Sequence, residues 1–238
     1  AEFVENLDLP IATKGAIKFS NQAQFHPVKY AQGLVNSILK TNQVSFYENT
    51  KVVDVKQGKE GYDIFVEKGK KVNAKYVVIA SHYPIINAPG YYFLKMYQSL
   101  SYVIGVETQK ELFQGMYINS EKPTISFRTA KIGNNRLLLI GGMDHKTGED
   151  IDLSSSYEKL IAIAKQIDPE CNVVYKWCTE DCISLDKIPY IGEFSNLMPN
   201  VYVGTGYKKW GMTTSNIAAN IIVDKILGKE NPYEEVFT

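Results

Sequence analysis

The chain has 238 residues, with 26 Lys and Arg balanced by 26 Asp and Glu, so its formal net charge is zero. That balance excludes the basic excess of a nucleic-acid-binding domain, and the length allows one large or two small domains with a real core. No apolar run reaches the roughly 18 residues of a membrane span and no signal peptide opens the chain, which predicts a cytoplasmic protein with no membrane partner. Sixteen tyrosines and ten phenylalanines favour strands and a ligand-lining surface. The three cysteines, Cys171, Cys178 and Cys182, suit a reducing cytosol without disulfides. Cys178 and Cys182 lack a second pair or a nearby histidine, so no metal site is expected. The chain opens Ala1-Glu2-Phe3 without a methionine, and a piece of a longer protein is the expectation.

Residues 16–25 alternate loosely and read as a strand leading into His26-Pro27, and proline suits the first position of a helix. Ala31, Leu34, Val35, Ile38 and Leu39 then give that helix an apolar stripe. Val44–Tyr47 reads as a short strand. Lys51–Val55, Tyr62–Val66 and Lys71-Val72 read as a meander, with turns at Gly58–Gly61 and Gly69. Tyr76–Ala80 is a near-continuous apolar run, the pattern of a strand buried on both faces. It ends in Ser81-His82-Tyr83-Pro84.

Ser101–Val106, Gly115–Ile118, Thr124–Arg128 and Arg136–Ile140 follow with short polar links, which predicts an antiparallel sheet. Gly141–Asp150 reads as a polar loop holding His145. The spacing of apolar residues predicts a helix from Ser154 to Ile167, with Ser154 or Ser155 as its N-cap and Asp168-Pro169 as its stop. Asn172–Cys178 reads as a further strand.

The most informative stretch lies near the end. Asp186-Lys187-Ile188-Pro189-Tyr190-Ile191-Gly192 precedes an apolar strand, Val201–Val203. Gly204-Thr205-Gly206-Tyr207-Lys208-Lys209-Trp210-Gly211-Met212-Thr213 follows, and then a helix to about Leu227, with Thr213 or Thr214 as its cap. A strand that breaks on glycines and opens a helix presents backbone N–H groups to an electron-rich ligand. The same residues also suit a tight turn that merely starts a packed helix. No Gly-x-Gly-x-x-Gly fingerprint occurs, because Gly204-x-Gly206 has no glycine three residues later.

Four motifs in order, "FHPVKYAQGL", "KYVVIASHYP", "DKIPYIG" and "GTGYKKWGMT", resemble the FAD-dependent amine and amino-acid oxidases, the glycine oxidase and sarcosine oxidase group. The branch most resembled is the one whose members often carry a Rieske domain. The resemblance implies an α/β (α+β) fold: a partial FAD-binding domain lacking its N-terminal Rossmann unit, plus a mostly antiparallel substrate-domain sheet flanked by helices. The implied divisions are 1–92, a partial FAD-binding region with the meander; 93–180, the substrate sheet and helix; and 181–238, the C-terminal FAD-binding segment. FAD, held non-covalently in the full-length protein, is the implied cofactor.

By the same resemblance, Val53 would touch the adenine through its backbone, and Ala80 and Ser81 would pack near the phosphates. Pro189, Ile191 and Gly192 would lie near the ribityl chain. Gly204, Gly206, Tyr207, Lys208, Trp210, Gly211, Met212 and Thr213 would face the pyrimidine edge of the ring. Trp177 matches a family tryptophan, although on its own it suits a core aromatic. Arg128, His145 and Lys209 are the catalytic or substrate-side candidates: a guanidinium suits a carboxylate, an imidazole suits acid–base work, and a lysine suits the oxygen side. Leu137, Leu138 and Leu139 occupy the strand where sarcosine oxidases place a lysine, which puts the oxidase outcome in question. The implied substrate is a small amine or amino acid, and the implied partners are a Rieske domain or further copies of the chain. Two other functions stay open: a non-catalytic scaffold that kept the fold and lost the cofactor, and a reductase passing electrons to a Rieske centre.

Overall fold

The computed structural model describes residues 1–9, 11–133, 135–149 and 152–237. The chain runs through β1 (Glu2–Val4), β2 (Ala16–Lys18), α1 (Pro27–Leu39), β3 (Val52–Gln57), β4 (Tyr62–Val66), β5 (Lys71–Ala74) and β6 (Val77–Ile79). It continues through β7 (Met96–Glu107), β8 (Tyr117–Ile118), β9 (Ile125–Ile132), β10 (Asn135–Lys146) and α2 (Leu153–Ile167). The last elements are β11 (Asn172–Ser184), β12 (Tyr190–Glu193), β13 (Val201–Thr205) and α3 (Gly211–Ile226). These form two compact units, residues 1–23 with 98–180 and residues 24–97 with 181–238.

The first unit is built on a five-stranded sheet in the order β11-β7-β10-β9-β8, together with the separate β1–β2 hairpin. β10 pairs antiparallel with both β7 and β9, as the run of closely linked strands predicted. Alternation along the strands decides which side is buried. Tyr102, Ile104 and Val106 of β7, Ile125 and Phe127 of β9, and Leu138 and Ile140 of β10 form one core with Leu160, Ala164 and Ile167 of α2. β10 runs on to Lys146, so most of the stretch expected as a polar loop is strand; pairing to Leu100 and Ser99 outweighs the local glycine signal. Asp150, at the end of that stretch, lies outside the described residues. Asp152, not Ser154 or Ser155, caps α2, because the helix begins one residue early and Asp152 Oδ1 accepts the Ser154 N–H at 2.9 Å.

The C-terminus of α2 is tied to the end of β7. Thr108 Oγ1 donates to Asp168 Oδ2 at 2.5 Å, the Glu170 N–H donates to Asp168 Oδ1 at 3.1 Å, and Lys110 Nζ donates to the Ile167 carbonyl at 2.9 Å. The Thr108 hydroxyl first, and then the backbone N–H groups and Lys110, hold the Asp168 carboxyl below its ordinary value despite the opposing effect of burial. A depressed folded value favours the folded state above the unfolded value of about 3.9, and this contribution is lost as pH falls through the folded one. The urea midpoint of this unit is therefore expected to fall on acidification below about pH 4. In Thr108→Val the fall is expected to be shallower. Equal slopes in the two proteins would show that the hydroxyl does not govern the carboxyl.

In the second unit, β3-β4-β5 form the predicted antiparallel meander and β12-β13-β6 form a second sheet. β13 is buried along its whole length. Val201 and Val203 join Val55, Tyr62, Ile79, Tyr92, Met96 and Phe194 in one core, while Tyr202 packs with Ile191, Ala218, Ile221 and Ile222 under α3. Burial pushes the Tyr92 hydroxyl up to about 12, and Tyr190 adds to the shift. That hydroxyl donates to the Phe194 carbonyl at 3.3 Å.

Three expectations are corrected here. The strand expected over residues 16–25 is confined to Ala16–Lys18, and Val44–Tyr47 is not a strand, since no neighbouring strand pairs with either excess stretch among the described residues. β6 is not buried on both faces: it is the last strand of its sheet, and Val78 is 46% exposed. α1 has its predicted bounds, but none of its residues is buried.

Candidate functional site

β6 and β13 are parallel neighbours, with Val77 opposite Val201 and Ile79 opposite Val203. Both strands therefore leave the sheet at the same edge, and the carboxyl ends of parallel strands are where α/β sheets receive ligands. Ala80 and Ser81, both exposed, follow β6. Gly206–Trp210 and α3 follow β13. Thr205, 2% exposed, donates from Oγ1 to the His82 carbonyl at 2.5 Å and so ties the two strand ends together. Residues more than 120 positions apart thus meet at one edge.

The turn after β13 has a defined shape. Gly206 (φ +75°), Lys208 (φ +46°) and Lys209 (φ +68°) all lie in the left-handed region. The Lys208 N–H donates to the Cys182 carbonyl at 3.1 Å, and the Trp210 N–H donates to the Tyr207 carbonyl at 2.8 Å. α3 begins at Gly211 with no side-chain cap. Thr213 and Thr214 do not cap it, contrary to expectation, because both already lie within its first turn. Their N–H groups reach the Trp210 carbonyl at 3.2 and 2.9 Å. An uncapped helix N-terminus leaves N–H groups and the positive end of the helix dipole directed outward. Lys208, Lys209, Trp210 and Met212 are exposed around it.

β12 closes the other side of β13, with Ile191 opposite Gly204 and Gly192 opposite Val203. The approach to β12 is set by Asp186, whose Oδ1 accepts the Ile188 N–H at 3.0 Å ahead of half-buried Pro189. Ile191 is 2% exposed and packs under α3, so its side chain belongs to the core. Val53 is the extra residue of a bulge in β3, where the register shifts between Val52 and Asp54, and its side chain is exposed.

The sequence reading missed Ser184. It is fully buried, and among the described residues its Oγ meets no hydrogen-bond partner. Its Cβ lies 3.6 Å from where a Cβ on Gly206 would stand. An orphaned buried hydroxyl, left-handed backbone and an uncapped helix N-terminus together fit a polar, electron-rich group such as a flavin pyrimidine edge. Nothing in the local pattern around Ser184 marks it, since a single serine near a strand end is ordinary.

Arg128, His145 and Trp177 belong to the first unit. Arg128 does not end its strand; β9 continues to Ile132, and Arg128 stands exposed on the face opposite Ile125 and Phe127. Its cross-strand neighbour is Leu139, which in turn lies opposite Gly105. His145 sits on β10, not in a loop. Its Nδ1 is 3.0 Å from the Lys146 carbonyl, which can only accept, so Nδ1 carries the proton. Nε2 then accepts from the Tyr102 hydroxyl at 2.8 Å. Trp177 is 42% exposed on β11 and so is not the core aromatic that it suits on its own.

The chain thus holds a parallel strand pair that ends in a shaped turn and an open helix, and a helix-backed antiparallel sheet. Solved structures with this fold include glycine oxidase from Geobacillus kaustophilus (TM-score 0.66, 21% identity, 82% of this chain and 53% of that one). L-proline dehydrogenase from P. horikoshii is another (TM-score 0.67, 16% identity, 86% and 57%). A Bacillus subtilis protein named "Putative Rieske 2Fe-2S iron-sulfur protein YhfW" is 35% identical over 237 residues, which is 100% of this chain and 46% of that protein. The family described as FAD dependent oxidoreductase matches residues 2–225, and the chain belongs to it. It spans about half the length of the relatives it matches. Among the described residues, no helix is long and apolar enough to cross a membrane.

Proposed function

We propose that this chain supplies the ring-side turn and the substrate sheet of an FAD-dependent oxidoreductase acting on small amines or amino acids. The observation that carries this reading is the convergence of Ala80-Ser81 and Gly204–Thr213 at one edge, with Thr205 tying them together, in a member of an FAD-dependent family. FAD, when bound, supplies the redox chemistry by accepting a hydride from the substrate carbon that bears the nitrogen. The chain's own part is orientation and charge. The open N-terminus of α3, with Lys208 and Lys209 beside it, favours negative charge on a ligand seated there. Arg128, exposed on the face of the sheet that α2 does not cover, is the group suited to a substrate carboxylate. His145 is the weaker candidate, because both its ring nitrogens are engaged within the strand pair.

A second reading concerns the electron acceptor. The relative named as a Rieske protein, together with Leu137, Leu138 and Leu139 occupying the strand where sarcosine oxidases place a lysine, favours an iron–sulfur acceptor over oxygen. The visible absorption spectrum of the purified full-length protein tests both readings. Twin flavin bands that bleach anaerobically with a small amine or amino acid are expected. An added broad iron–sulfur absorption supports the Rieske acceptor. A colourless protein that added FAD leaves colourless overturns the flavin reading.

A further inference from the structure

We propose that Tyr207 is a positioning residue whose ring, packed between Gly204 and Gly211 with its hydroxyl in the notch left by Gly204, holds the turn before α3 in its ligand-receiving shape. In its bearing on FAD the proposal rests on the reading above. Glycines in such a turn invite the explanation that a ligand needs close access to the backbone. The geometry assigns Gly204 another role. Its φ is not in the left-handed region, so its conformation does not require glycine. What it leaves is room, and that room is taken from within the protein: a Cβ placed there would strike the Tyr207 hydroxyl. The next neighbours are Tyr207 Cζ at 3.5 Å and Ala218 Cβ at 3.7 Å, both ordinary contacts. On its other side the ring passes Gly211, whose Cβ position lies 3.6 Å from Tyr207 Cδ2. Two of the motif's three glycines therefore flank a single tyrosine.

The backbone of Tyr207 is fixed as well. It bridges to Ile183 of β11, and its carbonyl accepts the Trp210 N–H. The left-handed residues Gly206, Lys208 and Lys209 lie on either side of this anchor. A turn held in this way is formed before any ligand arrives, and a preformed site binds more tightly than one that must be ordered on binding.

The test uses three variants of the full-length protein, each read by melting of the FAD-free form and by FAD affinity in a fluorescence titration. Gly204→Ala is expected to lower the melting temperature and to weaken FAD binding about tenfold or more, since the new methyl displaces the Tyr207 hydroxyl. Tyr207→Phe is expected to melt close to the parent and to bind FAD a few-fold more weakly. Gly204→Ala combined with Tyr207→Phe is expected to recover both properties relative to Gly204→Ala alone, because the methyl then meets only ring carbon at 3.5 Å. In a strand, alanine otherwise favours the folded state over glycine, which also favours recovery of the melting temperature. A double variant no better than Gly204→Ala, or a Gly204→Ala protein indistinguishable from the parent, overturns the proposal. If the parent itself binds no FAD, the flavin reading fails, while recovery of the melting temperature still decides the fate of the Tyr207 lock.

Discussion

Leu160→Ala is expected to destabilise the unit formed by residues 1–23 and 98–180 by ~2–5 kcal/mol. Leu160 is fully buried, and it lies in the stripe through which α2 meets the sheet side chains Tyr102, Ile104, Leu138 and Ile140. Removing its branched end forfeits the transfer free energy of the lost atoms. It also leaves a cavity that strands locked on both sides close only in part. The size of the effect within that range reports how far α2 can settle. Urea unfolding followed by amide exchange at Leu138 and Ile140 measures it, with Glu158→Ala on the exposed face of the same helix as a control expected within about 0.5 kcal/mol of the parent. A cost below about 1 kcal/mol would mean that α2 does not anchor this core.

The helix behind that expectation was legible because its pattern is local. Leu160, Ala164 and Ile167 repeat at helical spacing, and Asp168-Pro169 stops the run. Pro27 and the glycine turn before α3 were legible for the same reason, since each carries its own backbone chemistry. Two kinds of feature were not. Strands were over-read where apolar residues had no partner: Val44 and Phe46 suit a strand but stand exposed without one. β propensity is realised only against neighbours. Burial was over-read at Val78, because an apolar run does not say whether its strand is central or at an edge.

The site was legible as a set of motifs but not as an arrangement. Nothing near Val77 says that it lies parallel to Val201, and nothing near Thr205 says that its hydroxyl reaches His82. Ser184 and the Tyr207–Gly204 fit are of this kind as well. They depend on distances across the fold, and Gly204 in particular reads as a ligand-facing glycine until its neighbour is known.

The pair Gly141-Gly142 shows how a strong local signal loses to pairing, and it leads to the second large effect. Gly142→Ala is expected to destabilise the first unit by roughly 3–5 kcal/mol, combining overpacking with backbone strain. Gly142 has φ +150°, and a Cβ there would run into the Thr124 carbonyl oxygen and come within 3.0 Å of Ile125 Cδ1. The first obstacle is the backbone of Thr124, just ahead of β9, which cannot swing aside as a side-chain tip can. Just beyond it, Met143 adopts φ +56° and the register of β10 against β7 shifts between Gly142 and His145. Bulges of this kind re-aim the side chains that follow them. Here the shift sets His145 opposite Leu100 with its Nε2 on the Tyr102 hydroxyl. Gly133→Ala separates the two contributions, since Gly133 has φ +59° with nothing within 4 Å of its Cβ position and is expected to cost only about 1–2 kcal/mol. Urea midpoints of the two variants make the comparison, and the ¹⁵N shifts of His145 report whether its bond to Tyr102 survives. A Gly142→Ala protein no less stable than Gly133→Ala would mean that the second glycine lies in a loop with space around it. The larger loss, accompanied by a changed His145 signal, would show that the strand continues through the glycines and that the bulge, not a loop, places the histidine.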